Sequence, residues 1–144
     1  MGVDLNGPMF LSRRAVPIMV RQGGGSIVNV ASTAGLGGGA AGAAYTVSKH
    51  ALIGLTRSTA FIYTQDGVRC NAIAAGAVKT NIMQSIDVAK MDAKGAARFG
   101  TWYAAIPAQL EAIDIAYLAL FLASDESKSI NDAIIPADAG WSAA

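Results

Sequence analysis

Hydrophobic residues recur at helical spacing in three segments of the chain, which predicts helices over residues 8–22, 43–64 and 111–123. Three short runs rich in β-branched and small apolar residues are typical of buried strands and cover 26–30, 68–73 and 133–135. Glycine clusters and an Asp-Gly pair separate these segments, as turns do. The stretch 74–107 shows neither period, so we expect irregular structure with short helices there.

Helices and strands alternate along the whole chain. Strands joined by a long helical connection pair in parallel through right-handed crossovers. We therefore predict an α/β fold, a three-layer Rossmann-like parallel sheet of about three strands with flanking helices. It would form a single domain over residues 1–144. Ile27 and Val28 have the character of a central strand, so we expect that one neighbour of that strand is absent from this chain.

The composition supports a buried sheet and excludes several classes of protein. Charged residues make up 15% of the chain and hydrophobic residues 53%, so the chain is not intrinsically disordered. A net charge of +1 predicts no nucleic-acid partner. Residues 22–48 carry no charge, but their glycines interrupt any membrane span, and we expect no membrane association. One cysteine and no visible signal peptide predict a cytoplasmic protein.

Candidate chemistry is concentrated in Ser32, Tyr45 and Lys49. Tyr45 and Lys49 are four residues apart, so they share one face of the predicted helix. A tyrosine hydroxyl ordinarily has a pKa of about 10, and a neighbouring ammonium favours the phenolate form, which eases proton exchange near neutral pH. Ser32 follows a predicted strand and is placed to hold a carbonyl oxygen by a hydrogen bond. Such a trio suits carbonyl reduction, or the reverse, with hydride from a cofactor.

Each of these residues also has a purely structural interpretation. Tyrosine and lysine four apart are common on helix surfaces, and a loop serine usually hydrogen-bonds its own backbone. The order along the chain favours chemistry: a strand, the serine, a glycine-rich loop, and then the tyrosine and the lysine on a helix.

This order resembles that of the short-chain dehydrogenase/reductase family. The resemblance covers essentially the whole chain, but only the C-terminal catalytic portion of the family's fold. Four segments carry it: the strand before the serine (25–35), the Tyr-x-x-x-Lys motif (45–49), the next strand with its nicotinamide-contacting loop (68–80), and the last helix with the C-terminal segment (121–140).

The resemblance implies a role for each matching residue. Tyr45 would be the catalytic acid/base, Lys49 would assist it and bind the nicotinamide ribose, and Ser32 would polarise the substrate carbonyl. The nicotinamide would also contact Val30, Gly76, Val78 and Thr80. The implied function is hydride transfer between NAD or NADP and a small alcohol or ketone, with no metal.

Residues 82–106 would form the family's variable substrate loop. This loop is rich in large apolar side chains, which suit an apolar or alicyclic alcohol or ketone: Met83, Met91, Phe99, Trp102 and Tyr103. Packing within the loop is the alternative explanation for the same residues.

The chain also departs from the family pattern. The Gly-rich turn that cradles the cofactor pyrophosphate is missing, so we expect that the N-terminal dinucleotide-binding part is absent. Asp4 stands where a catalytic asparagine is usual and is the candidate for that position, although a carboxylate cannot donate as an amide does. Near the C-terminus, Asn131-Asp132 and Ala139 stand where glycines are usual.

Three interpretations of function remain. The chain is the catalytic part of an oxidoreductase completed by a longer product or a second chain, a truncated non-catalytic remnant, or an oligomerising interaction module. We expect the isolated chain to bind cofactor weakly, because contacts to pyrophosphate and adenosine are missing. In the family, the helices that match 8–22 and 43–64 form the main dimer contact, so we expect a homo-oligomer through them.

Overall fold

Four helices and three strands make up the computed structural model, which describes residues 2–85, 87 and 90–143, with only the backbone at Met83 and Ser85. The helices are α1 (Gly7–Arg21), α2 (Ala43–Tyr63), α3 (Ala93–Ala104) and α4 (Ala112–Ala123). The strands are β1 (Gly25–Val30), β2 (Val68–Ala75) and β3 (Ile134–Ala137). The elements predicted from hydrophobic spacing are confirmed with small shifts at their ends. Helix α3, with 12 residues, lies in the stretch for which irregular structure with short helices was predicted.

The three strands form one parallel sheet in the order β1-β2-β3. Val30 lies beside Ile73, and Ile73 lies beside Ile135. Because each connection contains at least one helix, the chain returns to the same end of the sheet before each new strand. The predicted α/β class and parallel sheet are therefore confirmed.

Alternate side chains of β1 show which helices cover each face of the sheet. Asn29 Nδ2 donates to Thr56 Oγ1 of α2 at 2.9 Å, while Ser26 Oγ donates to the Leu122 carbonyl of α4 at 2.8 Å. A Cβ atom at Gly25 would lie on the same face of the strand as the Asn29 side chain, and it would meet Met19 of α1. Successive strand residues face opposite ways, so α1 and α2 cover one face and α4 covers the other.

The central strand β2 carries the core. Val68, Ile73 and Leu122 of α4 are fully buried, as is Cys70. Burial raises the pKa of the Cys70 thiol to about 11, against a smaller opposite effect of its hydrogen bond with Thr56. The thiol is therefore neutral at physiological pH and packs as a small hydrophobic side chain.

Arg69 joins the start of β2 to the end of α4. Its guanidinium donates to the carbonyl oxygens of Leu122 and Ser124, each at 3.0 Å, and to Ser127 Oγ at 3.0 Å. The last carbonyls of a helix have no partner within the helix and carry partial negative charge. A fixed cation there satisfies them and holds α4 against the sheet.

Two residues adopt the left-handed backbone region that favours glycine, Asp132 with φ of 64° and Ala139 with φ of 57°. Both belong to the segments in which the sequence departs from the family's glycines. Ala139 is held in a turn by Asp138, whose carboxylate accepts from the backbone N–H groups of Gly140 and Ser142 at 2.9 and 2.8 Å. Burial opposes ionisation of Asp138, but these hydrogen bonds lower its pKa overall.

Within the described residues, β1 pairs only with β2, so its other edge is open. A groove of about 360 Å³ runs beside this edge, between β1, α1 and the π-helical turn at Gly2–Asn6. Val30, at the end of β1, is 50% exposed. This open edge agrees with the expectation that a strand beside β1 is absent from this chain.

Large apolar side chains also remain exposed on three helices. They are Met9, Phe10, Leu11 and Ile18 on α1, Val47, Phe61 and Ile62 on α2, and Ile113, Tyr117, Leu120 and Phe121 on α4. The surface on α4 was not predicted from the sequence. None of the described helices combines the length and the apolar character that crossing a membrane requires.

Candidate active site

The candidate residues gather at one edge of the sheet because the strands are parallel. Ser32 lies two residues beyond the end of β1, and Gly76 directly follows β2, the strand that pairs with β1. The carboxyl ends of parallel strands form a common edge, and ligands of open α/β sheets bind outside it. The structure thus brings together residues that are more than forty positions apart in the sequence.

Ser32 presents a hydroxyl whose hydrogen is available. The residue has extended backbone angles and precedes a short turn, where its Oγ accepts a hydrogen bond from Ala34 N at 3.1 Å. A hydroxyl that accepts in this way still has its own hydrogen to donate. Ser32 can therefore donate to an oxygen atom placed beyond the end of β1.

Lys49 is the most tightly held residue of the group. It is 8% exposed, and its Nζ donates to the Val30 carbonyl at 3.2 Å. The same Nζ lies 5.3 Å from the centroid of the Tyr45 ring, within the range of a cation–π interaction. One turn of α2 thus places the ammonium between the end of β1 and the tyrosine, as the spacing of four predicts.

Asp4 supplies a negative charge to this buried ammonium. Its Oδ1 lies 3.4 Å from Lys49 Nζ, and its side chain is 38% exposed. An ammonium removed from water requires such a partner. The structure therefore places Asp4, predicted to take the position of the usual asparagine, beside Lys49, where it serves as a counter-ion.

Tyr45 lies between the lysine and an apolar cluster. Its ring packs against the cluster formed by Ala34, Ala40 and Trp141. Its backbone carbonyl accepts from Ser48 Oγ at 2.7 Å, which adds a local bond near the start of α2. The side chain is half-buried, so it is fixed by packing but still reaches the surface of the site.

The glycine at position 35 lets the serine loop approach α2. A Cβ atom there would lie 2.8 Å from Ile53 Cδ1 and 2.9 Å from the Lys49 carbonyl oxygen. Both distances are too short for a methyl group, and the second partner is helix backbone, which moves with difficulty. This close approach fixes Ser32 relative to Lys49.

The residues implied to contact nicotinamide lie at the same edge, each with a second, structural partner. Gly76 N donates to the Ala137 carbonyl at 3.0 Å, and a Cβ at Gly76 would lie 2.7 Å from Asp138 Cα. Val78 forms an isolated parallel bridge with Leu110. Thr80 is exposed, and its Oγ1 accepts from Ile82 N at 3.3 Å.

These residues fit the nicotinamide end of a dinucleotide. Lys49 and Tyr45 offer donors for ribose hydroxyls, and Val30 and Val78 offer apolar contact for the ring. The glycine-rich loop between β1 and α2 belongs to the candidate site itself, and among the described residues no second loop of this kind joins a strand to a helix and could take the pyrophosphate. No group of three or more metal-ligating side chains occurs among the residues that the structure describes.

An aromatic cluster beside Tyr45 was only partly visible in the sequence. Trp102 and Tyr103 of α3 lie 5.5 and 5.9 Å from Trp141, measured between ring centroids. The sequence placed the first two in the substrate loop and did not connect them with Trp141. Trp141 is buried against the loop after β1. No local pattern could have shown that Trp141 pairs with Trp102, because these two residues are 39 positions apart in the sequence.

Residues 82–106, predicted as the substrate loop, contain helix α3 and the segment that leads into it. Ile86, Val88 and Ala89 of this range lie outside the described residues. Asp92 begins α3, because its carboxylate accepts from Gly95 N at 2.7 Å as an N-cap.

Comparison with known proteins gives consistent results. A family model described as enoyl-(acyl carrier protein) reductase matches residues 1–142. The curated protein short chain dehydrogenase adrF of Penicillium rubens is 45% identical over 97% of this chain and 57% of its own length. The 3beta-hydroxysteroid dehydrogenase 2 of Eggerthella lenta is 42% identical over 99% of this chain and 55% of its own.

Solved structures share the fold. A protein from Agrobacterium tumefaciens described as a putative 2-deoxy-D-gluconate 3-dehydrogenase, with bound NADP, superposes with a TM-score of 0.84 at 32% identity. The superposition covers 100% of this chain and 57% of that one. The chain therefore spans about half the length of the curated and solved relatives it matches.

We predict that Gly35→Ala destabilises the chain because the added methyl group meets Ile53 and the Lys49 carbonyl. The expected loss is about 1–3 kcal/mol in the free energy of unfolding, as for other overpacked positions. Gly37→Ala is the matched control, since nothing lies within 4 Å of its Cβ position. Urea unfolding of both variants checks this, and equal midpoints would contradict the assigned close contact.

We predict that Asp4→Ala destabilises the chain by about 1 kcal/mol, because it leaves the ammonium of Lys49 without its counter-ion. Lys79→Met is the control, since it breaks an ion pair with Glu111 in which both side chains are more than half exposed. The control should change the free energy of unfolding by less than about 0.5 kcal/mol. Thermal unfolding of both variants tests the difference, and an equal cost would remove the counter-ion role.

Proposed function

The chain belongs to the short-chain dehydrogenase/reductase family, and on that premise we propose that it carries the catalytic half of an oxidoreductase that moves hydride between NAD or NADP and an alcohol or ketone. The rest of the dinucleotide site would come from residues outside this chain, in a longer product or in a second chain. The match covers 57% of the length of the Penicillium rubens relative and of the Agrobacterium tumefaciens structure, and the remainder is long enough to hold the missing part of a dinucleotide site.

The observation that carries the proposal is the placement of Lys49, which contacts both the end of β1 and the Tyr45 ring. The nicotinamide supplies the hydride when it is bound. Tyr45 would deliver the proton to the carbonyl oxygen as hydride reaches the carbonyl carbon, and it would take the proton back in the reverse direction. The ammonium of Lys49 would stabilise the negative charge left on the tyrosine oxygen.

Ser32 would hold the substrate in this scheme. Its Oγ already accepts from Ala34 N, so its hydrogen is the group that would donate to the substrate oxygen. That hydrogen bond strengthens as charge develops on the oxygen during hydride transfer. Asp4 would limit the net positive charge around Lys49 while keeping the ammonium in place.

We propose a secondary alcohol or ketone on an apolar or alicyclic skeleton as the substrate. One relative is named for 3β-hydroxysteroid oxidation, and the substrate loop here is rich in aromatic side chains. The cofactor stays NAD or NADP, because the part that selects between them would lie outside this chain. The cytoplasm is the proposed location, since a single buried thiol suits a reducing compartment.

We predict that Tyr45→Phe removes nearly all carbonyl reduction, because phenylalanine has no proton to deliver. A suitable assay joins the chain to the unmatched part of the Penicillium rubens relative and follows NADH or NADPH oxidation with a cyclic ketone. The expected loss in kcat is at least about 100-fold, the scale of general acid catalysis.

Tyr63→Phe, at the far end of α2, is the matched control and should keep the parent rate. Retention of most activity by Tyr45→Phe would refute the assigned role. Without the added part, the 144-residue chain should show no turnover and only weak binding of either nucleotide.

An interaction module is the second candidate, because two kinds of unsatisfied surface favour association. The outer edge of β1 exposes unpaired backbone groups, and such edges readily accept another strand. The exposed apolar residues of α1 and α2 lie on the helices for which a dimer was predicted. Patches of this kind mark interaction sites in soluble domains.

We predict that the chain self-associates at tens of micromolar concentration. Sedimentation velocity measures this, and Leu11→Glu on α1 should shift the distribution toward monomer because it places a charge on a 72% exposed apolar site. Leu120→Glu on α4 is the comparison, since it alters an exposed site on the opposite face of the sheet. A stable monomer of the parent chain at these concentrations would eliminate the second candidate.

A further inference from the structure

Charge is distributed very unevenly along this chain. Residues 5–65 contain four arginines and one lysine but no aspartate or glutamate, so this segment has a net charge of +5. The rest of the chain must then have a net charge of −4, because the whole chain has +1. An asymmetry of this size affects which surfaces can meet, since complementary charge selects partners and like charge excludes them.

The positive charge lies on the exposed sides of α1 and α2. The four arginines there are exposed, and none of them forms an ion pair with another described residue. Large apolar side chains are exposed among them, and Phe61 alone is 84% exposed. We name this the basic surface, and its members are Phe10, Arg13, Arg14, Arg21, Arg57 and Phe61.

Helix α4, on the opposite face of the sheet, carries charge of the other sign. Three apolar side chains at helical spacing on α4 are each more than half exposed, and the helix contains no lysine or arginine. Exposed acidic residues border them, one in the first turn of α4 and two just beyond its end. We name this the acidic surface, and its members are Ile113, Asp114, Tyr117, Leu120, Asp125 and Glu126.

Neither surface suits a second copy of itself. Two basic surfaces placed together would bring four arginines from each copy into one interface, with no acidic side chain from α1 or α2 to offset them. A basic surface placed on an acidic one pairs opposite charges around an apolar centre. Its arginines would also find an aromatic face at Tyr117, over which a guanidinium packs favourably.

We propose that copies of this chain associate head to tail, with the basic surface of one copy on the acidic surface of the next. Because the two surfaces lie on opposite faces of the sheet, one copy can engage two neighbours at once, and the assembly does not close as a pair. The proposal rests on the second candidate function, the interaction module, and identifies its partner. It does not depend on hydride transfer.

The experiment places charges of both signs at one exposed position of each surface. On the acidic surface, Leu120→Lys should weaken association about tenfold more than Leu120→Glu, because lysine opposes the arginines of the next copy and glutamate attracts them. On the basic surface the order is inverted, and Phe61→Glu should weaken association more than Phe61→Lys. Both variants at a position lose the same apolar side chain, so their difference reports charge alone. Sedimentation velocity of the 144-residue protein at tens of micromolar concentration measures the association.

Ionic strength and a charge placed elsewhere are the controls. Screening at about 1 M NaCl should reduce the difference between the lysine and glutamate variants at each position. Ala97→Glu adds a negative charge at an exposed position of α3, outside both surfaces, and should associate as the parent chain does.

A mixture of two weakened variants distinguishes head-to-tail from symmetric association. Phe61→Glu keeps an intact acidic surface, and Leu120→Lys keeps an intact basic surface. An equimolar mixture should therefore recover complexes of two or more chains, each chain contributing 14.7 kDa. In a symmetric pair through α1 and α2, Phe61→Glu would stay monomeric in the mixture, while Leu120→Lys would pair with itself.

Tyr117→Lys and Tyr117→Glu repeat the comparison on the acidic surface if a variant at position 120 fails to fold. The proposal is overturned if lysine and glutamate weaken association equally at each position, or if the mixture behaves as the sum of its parts. Either result with a parent chain that self-associates would refute only the head-to-tail arrangement. A monomeric parent chain would overturn the interaction module as well.

Discussion

The parallel pairing of β1 with β2 is the constraint on which the site depends. It places Ser32 and Gly76 at one edge although they are far apart in the sequence, and it fixes the strand whose carbonyl, at Val30, accepts from Lys49. The lysine in turn fixes its own helix, and with it Tyr45, against that edge. A shift of one residue in this pairing would turn every β1 side chain to the opposite face of the sheet and move the serine away from the lysine.

Most of the fold could be predicted because burial leaves a periodic trace in the sequence. The β-branched run at 26–30 and the apolar spacing in 43–64 identified β1 and α2 directly. Helix α3 was harder, since Gly95 and Gly100 weaken its local preference for helix. Its N-cap at Asp92 and the packing of Trp102 on Trp141 establish it instead, and the second of these is a contact between distant parts of the chain.

Parts of the candidate site could likewise be predicted from the sequence, and other parts could not. Ser32, Tyr45 and Lys49 could be named from their order, because the helix and the strand end determine where they point. The ion pair between Asp4 and Lys49 could not, since it joins two ends of the fold through space. The sequence predicted only that Asp4 takes the place of an amide donor; the structure places its carboxylate beside the buried ammonium of Lys49. Ala139 and Asp132 likewise looked like lost glycines and occupy the backbone conformation for which glycine is favoured.

The open edge of β1 has a consequence for how this chain would be assembled with another. The chain itself connects β1 to β2 through α2, and β2 to β3 through α3 and α4. A strand from another chain could therefore pair with β1 without being threaded through any of these connections. A further strand could be added sideways after this half has folded, as in complementation by a donated strand. With the proposed function, the chain would serve as one part of a split reporter, in which recovered hydride transfer would signal that this chain and its complement have met.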